Sequence, residues 1–269
     1  MNQREKRLFL IQALLNERPS CQKQILPADA ERQKILLRGL MNVRRPARIG
    51  ADFLQVQDAY LQDETARKGV TDVAELTPVQ PGLYLWQGDI TTLRCDAIVN
   101  AANSGMTGCY VPNHRCIDNA IHTYAGVELR LACAELMEKQ GYPEPAGQAK
   151  ITPAFNLPCR YVLHTVGPVV NERVTGEDEK LLASCYRACL ALAAENGLES
   201  VAFCCISTGE FHFPNELAAE IAVQTVREFM TGQTSVKKVI FNVFKDIDKE
   251  IYAELLRENG AAKGFLAGV

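Results

Sequence analysis

The chain has 269 residues, of which 47% are hydrophobic and 23% charged, with a formal net charge of -3. That length holds one large domain or a medium domain with an appendage, and the balance excludes a disordered or collagenous chain. A slight acidic excess argues against nonspecific duplex binding, which needs many lysine and arginine contacts to phosphate. No apolar run reaches the roughly 20 residues of a membrane span, so the reading is a cytoplasmic protein with no nucleic-acid or membrane partner.

Up to about residue 75 the pattern is helical, with no convincing strand: Leu8, Ile11 and Leu15, then Leu36, Leu40 and Val43, then Phe53, Val56 and Tyr60 recur at three and four. Residues 77–82 hold two prolines and a glycine, which mark a connection. The expected division is a helical N-terminal extension over 1–77 and a second unit over 78–269.

Beyond it, short apolar runs alternate with helical ones. Strands are predicted at Leu83–Gln87, Ala97–Asn100, Ala149–Pro153, Tyr161–Val166, Val201–Ile206 and Val239–Val243. Helices are predicted at Ile117–Gln140, Glu177–Asn196, Pro214–Met230 and Asp246–Glu258. The alternation predicts an α/β sheet covered on both faces, with ligands bound beyond the carboxyl ends of the strands. Cys133, Cys185 and Cys189 share helical spacing with leucines and read as small core hydrophobes in a reducing compartment.

The loops after strands carry the chemistry. In Gly88-Asp89-Ile90-Thr91, Asp89 is suited either to an exocyclic amine such as that of adenine or to capping a turn. Asn100 to Gly108 is rich in small residues and amides and runs into Cys109, His114 and Cys116. Two thiols and an imidazole are zinc donors, and three protein ligands leave a fourth position open; the alternative is two core thiols and a surface histidine. His164-Thr165-Val166-Gly167-Pro168 reads as a turn after a strand whose histidine is satisfied internally. Ser207 to Pro214 places a glycine loop before a helix, either an anion cradle or a capping turn. Dinucleotide and P-loop fingerprints are missing.

Taken in order, Gly88-Asp89-Ile90-Thr91, Asp96-Ala97-Ile98-Val99-Asn100-Ala101-Ala102-Asn103, Asp118-Asn119-Ala120-Ile121-His122, His164 to Pro168 and Ser207-Thr208-Gly209 resemble the macrodomain family over roughly residues 83–245. The resemblance implies a three-layer α/β/α module with a mixed sheet that binds ADP-ribose. It implies adenine near Asp89 and Ile90, the distal ribose near Asn100 and Asn103, and the diphosphate on Ser207, Thr208, Gly209, Glu210 and Phe211. Asn103 and Asp118 are the implied catalytic residues.

The chain departs from that pattern twice. Hydrolytic members carry a run of glycines before the aspartate, where this chain inserts Cys109 through Cys116, and the position of Glu210 is commonly apolar, so its carboxylate has to point away from the diphosphate. The insertion and the helical extension resemble the zinc-dependent subgroup, which implies one Zn2+ on Cys109, His114 and Cys116. His122 is a candidate fourth ligand that helix-face geometry aims elsewhere.

That subgroup implies hydrolysis of mono-ADP-ribose from acidic protein side chains, with a lipoyl-carrier protein modified by a sirtuin-like transferase as implied partner. The alternatives are a noncatalytic ADP-ribose reader and a hydrolase of free O-acyl-ADP-ribose. Whether zinc activates water or orients the ribose, and whether Asp118 is a base or a hydroxyl anchor, stay open at this level.

Overall fold

The three N-terminal helical patterns form α1 (Gln3–Asn16), α2 (Ala30–Val43) and α3 (Ala51–Lys68) in a computed structural model, which describes residues 1–18 and 26–257. Asn2 and Glu5 close a capping box on α1, and Asp29 caps α2 by accepting from the Arg32 amide. The apolar stripes meet in a core of their own, built on Leu10, Ile11, Leu14, Leu37, Phe53 and Leu61 and joined by Val127 from the second unit.

The chain then enters strands. β1 (Thr71–Asp72) pairs in parallel with β3 (Leu93–Arg94), a correction to the strand-free reading of this stretch; two residues are too few for alternation to be visible. The main sheet is made of β2 (Leu83–Gln87), β4 (Ala97–Ala101), β5 (Ala149–Pro153), β6 (Tyr161–Thr165), β7 (Ser200–Phe203) and β8 (Lys238–Val243), in the order β2-β8-β7-β4-β6-β5. All neighbours run parallel except β5, which is antiparallel to β6, so the sheet is mixed as expected. β7 ends earlier than its apolar run predicts. Cys204 to Ile206 stay largely buried but leave the ladder for a loop in which Ser207 has φ +65°. At the opposite end of the sheet the Asp96 carboxylate accepts from the Glu199 and Ser200 amides, tying the start of β4 to β7.

The single helix expected over Ile117–Gln140 is two helices, α4 (Ile117–Ala125) and α5 (Val127–Gln140), broken at Gly126. Gly126 has φ +100°, and a Cβ there would lie 2.6 Å from Gln57 Nε2. The Gln57 side chain accepts from the Val127 amide at 2.9 Å, so α3 reaches into the break and starts α5.

The remaining helices are α6 (Gly176–Glu195), α7 (Asn215–Met230) and α8 (Asp246–Arg257); Glu258, the expected end of α8, lies outside the described residues. α6, α7 and α8 form one layer against the sheet, α4 and α5 the other, and α2 and α3 stack on α4 from outside. None of the described helices is long and apolar enough to cross a membrane.

Candidate functional site

Because β2, β8, β7, β4 and β6 are parallel, the loops after Gln87, Ala101, Thr165 and Phe203 open on one edge of the sheet. Every sequence-predicted site residue sits on one of those loops or beside it.

The centre is Asp118, in the first turn of α4 and 5% exposed. Its Oδ1 accepts from Asn100 Nδ2 at 2.8 Å and its Oδ2 from Asn103 Nδ2 at 3.2 Å. Burial raises its pKa to about 6; the hydrogen bond from Asn100, the charge of Arg130 and the hydrogen bond from Asn103 pull the other way without cancelling it.

Asn100 itself is fully buried, at the end of β4, and its amide also lies 3.1 Å from His164 Nδ1. It meets Asp118 and His164 rather than solvent. His164 is held on its other side by Thr152 Oγ1 at 2.9 Å, so it is satisfied internally as predicted. Asn103 is half-buried, and its carbonyl oxygen accepts from the Gly105 amide.

The Sγ of Cys109, a ring nitrogen of His114 and the Sγ of Cys116 lie within 4.8 Å of one another, all half-buried. Cys116 also caps α4 by accepting from the Asn119 amide, which places the thiol set one turn from Asp118. Burial pushes the Cys116 thiol up to about 12, only partly offset by that amide and reinforced by Cys109 nearby. A cation bound by these thiols reverses this, because the ligand is the thiolate.

Among the described residues His122 stands apart from this set and groups instead with Cys133 and His164. Its Nε2 is 3.5 Å from Asp118 Oδ1, but burial and the neighbouring His164 and Arg130 hold the imidazole neutral, so the contact is no ion pair. Both ring nitrogens are buried without a hydrogen-bond partner. The ring instead packs under Gly108, where φ is +83° and a Cβ would lie 2.8 Å from it.

Asp89 caps the turn after β2, accepting from the Thr91 amide and hydroxyl, and pairs with Lys68 of α3 at 3.0 Å. Burial opposes its ionisation, but Thr91 and Lys68 outweigh it and hold the carboxyl below its usual value. The Ile90 side chain belongs to the core.

In the fourth loop the Ser207 hydroxyl is buried and unpartnered, and Gly167 lies so close that a Cβ there would sit 2.0 Å from that oxygen. Thr208 spends its hydroxyl on the Cys205 carbonyl, Phe211 packs with Met106 and Val166, Gly209 is exposed, and His212 is exposed with φ +57°. Glu210 points to the Cys109–Cys116 loop: its Oε1 is 3.5 Å from His114 Nε2. The Ser207 loop therefore touches the Cys109–Cys116 loop through Glu210.

Several contacts had no local signal in the sequence. Arg38 and Asn42 of α2 bond the Cys109–Cys116 loop and α4, and Arg130 of α5 bonds the Cys109 carbonyl.

The Macro domain family model matches residues 99–222. A relative from Treponema medium with the name "Protein-ADP-ribose hydrolase" is 55% identical over 260 residues, 95% of this chain and 100% of its own. A Staphylococcus aureus (strain MSSA476) relative with the same name is 49% identical, over 91% of this chain and 93% of its own. A solved structure, the Oceanobacillus iheyensis macrodomain with ADP, superposes with a TM-score of 0.60 at 38% identity, covering 67% of this chain and 93% of that one.

Proposed function

This chain belongs to the macrodomain family, and on that premise we propose that it is a protein-ADP-ribose hydrolase that frees mono-ADP-ribose from modified acidic side chains, with one Zn2+ on Cys109, His114 and Cys116. The observation that carries the reading is the convergence of three metal donors at the cap of the helix that bears the doubly clamped Asp118.

The donor set suits zinc: two soft thiols and an imidazole whose second nitrogen faces a carboxylate, the usual outer partner of a metal-bound histidine. Bound there, the ion supplies positive charge to polarise oxygens of the distal ribose or of a water. Glu210 serves His114 in this reading, which accounts for a carboxylate in the diphosphate loop.

The other steps belong to the chain's own groups. Asn100 and Asn103 hold Asp118 by one oxygen each, which fixes where its remaining lone pairs point. With a pKa of about 6 it is mostly ionised at neutral pH yet takes a proton readily, as suits a group that accepts a proton from water or from a ribose hydroxyl. Ser207 offers a hydroxyl with no protein partner, and the turn Ser207 to Phe211 takes the diphosphate. Asp89 keeps one oxygen on Thr91 and directs the other outward to Lys68, where an adenine amine competes for it. The nine described cysteines are all free, which supports action in a reducing cytoplasm.

Release of ADP-ribose is measured from proteins modified on glutamate or aspartate, serine or arginine, and from a lipoyl-carrier protein modified by a sirtuin-like transferase. Metal-loaded wild type, chelator-treated wild type, Cys116→Ala and Asp118→Asn are compared. The expected result is release from the acidic linkage by loaded wild type alone, with Cys116→Ala still folded because the ligand lies on a loop. Tight ADP-ribose binding with no release from any substrate makes the protein a reader; release that survives the chelator removes the metal.

A further inference from the structure

Four points of the Cys109–Cys116 loop are held from outside it. Arg38 Nη2 donates to the His114 carbonyl at 2.9 Å, and the same guanidinium donates to Asn119 Oδ1 at 2.9 Å. Asn119 in turn donates from its side chain to the Val111 carbonyl at 3.0 Å. One turn along α2, Asn42 Oδ1 accepts from the Asn113 amide at 2.9 Å while Nδ2 donates to Thr123 Oγ1 at 2.9 Å. Arg130, 4% exposed, donates to the Asn42 and Arg44 carbonyls at the end of α2 and to the Cys109 carbonyl at 3.4 Å, with its guanidinium 4.3 Å from the Tyr110 ring.

Between Arg38 and Asn42 stands Gly39, and there the backbone of α2 passes so close to the loop that a Cβ would lie 3.1 Å from Asn113 Nδ2. Arg38, Gly39 and Asn42 therefore make one face of α2, and that face is occupied by the loop. The Asn113 backbone has φ +57°, in the left-handed region that asparagine tolerates better than most side chains, and its amide is held there by Asn42.

We infer that α2 of the N-terminal extension is the positioning shell of the metal loop, with Arg38 and Asn42 ordering Cys109, His114 and Cys116 before the ion arrives. The inference rests on the metal reading above and deepens it. An eight-residue insertion free to move would be ordered only on binding; a loop pinned at Cys109, Val111, Asn113 and His114 is largely ordered on folding. This gives the extension a task in a chain whose family model starts only at residue 99. The match to the Treponema medium relative spans 260 residues and so takes in most of these helices.

The test uses the full chain, stripped of metal and titrated with Zn2+ against a chromophoric chelator, with the Co2+ absorption spectrum as a second reading of ligand geometry. Binding of free ADP-ribose and the unfolding midpoint of the metal-free protein are recorded alongside. Arg38→Met keeps the aliphatic stem and loses the donors; Gly39→Ala pushes on Asn113 while improving helix propensity; Ile35→Ala, at an exposed position of the same helix, is the control.

Arg38→Met is expected to weaken Zn2+ by about 10-fold, the lower end of what loss of an outer-shell partner costs. Gly39→Ala is expected to weaken it severalfold while the metal-free midpoint holds or rises, a combination that a merely structural role does not produce. Both should alter the Co2+ bands, and ADP-ribose affinity should stay within about twofold by comparison. Zn2+ affinity equal to wild type in both variants overturns the inference and leaves the metal reading standing. A wild-type chain that takes up no Zn2+ overturns both.

Discussion

Asn100 gives one amide nitrogen to two buried partners, Asp118 Oδ1 at 2.8 Å and His164 Nδ1 at 3.1 Å, while its own carbonyl oxygen has no partner. The asparagine at the end of β4 thus works on the site through Asp118. Asn100→Ala should release that carboxylate, raise its pKa further because a stabilising hydrogen bond is lost, and lower kcat by about 10-fold or more with KM little changed. It should also cost about 1–3 kcal/mol of stability for the partners left bare. Steady-state kinetics and urea unfolding on the same variant check both parts; a change confined to KM would return Asn100 to the ribose-binding role.

Glu210 reaches His114 Nε2 at 3.5 Å from a side chain that is 70% exposed. Exposure weakens it, so Glu210→Gln, which keeps shape and removes charge, is expected to lower Zn2+ affinity by no more than about 10-fold. ADP-ribose affinity should rise slightly as a carboxylate leaves the neighbourhood of the diphosphate. Chelator competition and calorimetric titration separate the two effects, and a fall in both would place Glu210 on the ligand instead.

His122 and His164 are both buried and neutral, His164 with a pKa near 3 and His122 well below its usual value. In the unfolded chain each takes up a proton below about pH 6.5, so the stability lent by the neutral folded form is intact above that pH and drains away as pH falls. Between pH 7 and 5.5 each histidine should cost about 1 kcal/mol. Asp118, raised to about 6 in the fold, acts in the opposite sense over part of the same window. Comparing wild type with His122→Phe largely cancels it. The variant should gain about 1 kcal/mol on wild type between those two pH values, whatever its packing costs at pH 7. Parallel unfolding curves would show that His122 is not held neutral.

Gly126→Ala should destabilise by at least about 2 kcal/mol, because φ +100° with ψ 175° is a glycine conformation and the new Cβ would strike Gln57. For a chain of this size that is roughly 4–8 °C in Tm. A smaller shift on a melting curve would mean that Gln57 yields easily and that the break between α4 and α5 is soft.

Most strands and the donors Cys109, His114 and Cys116 were readable because both are local: short continuous apolar runs bounded by turn residues, and three ligands within eight residues. The break at Gly126 was not, since the apolar periodicity of Ile121, Ala125, Leu129 and Cys133 runs straight through it, and a lone glycine does not announce a positive φ. Nor were the bonds from Arg38 to His114 and from Asn42 to Asn113, which join residues more than 70 apart, or the Lys68 to Asp89 pair. Such contacts depend on how α2 and α3 dock, and docking leaves no pattern in a single sequence.

Gly167 has no positive φ, so its backbone would accept an alanine; what forbids one is the Ser207 hydroxyl in the space a Cβ would take. The glycine after β6 is thereby a spatial complement of the serine after β7, and the two loops share one packing decision across 40 positions of chain. Drift at either place alone would be punished. Homologous chains with a larger residue at 167 should therefore have exchanged Ser207 as well, and with it the buried hydroxyl between the two loops.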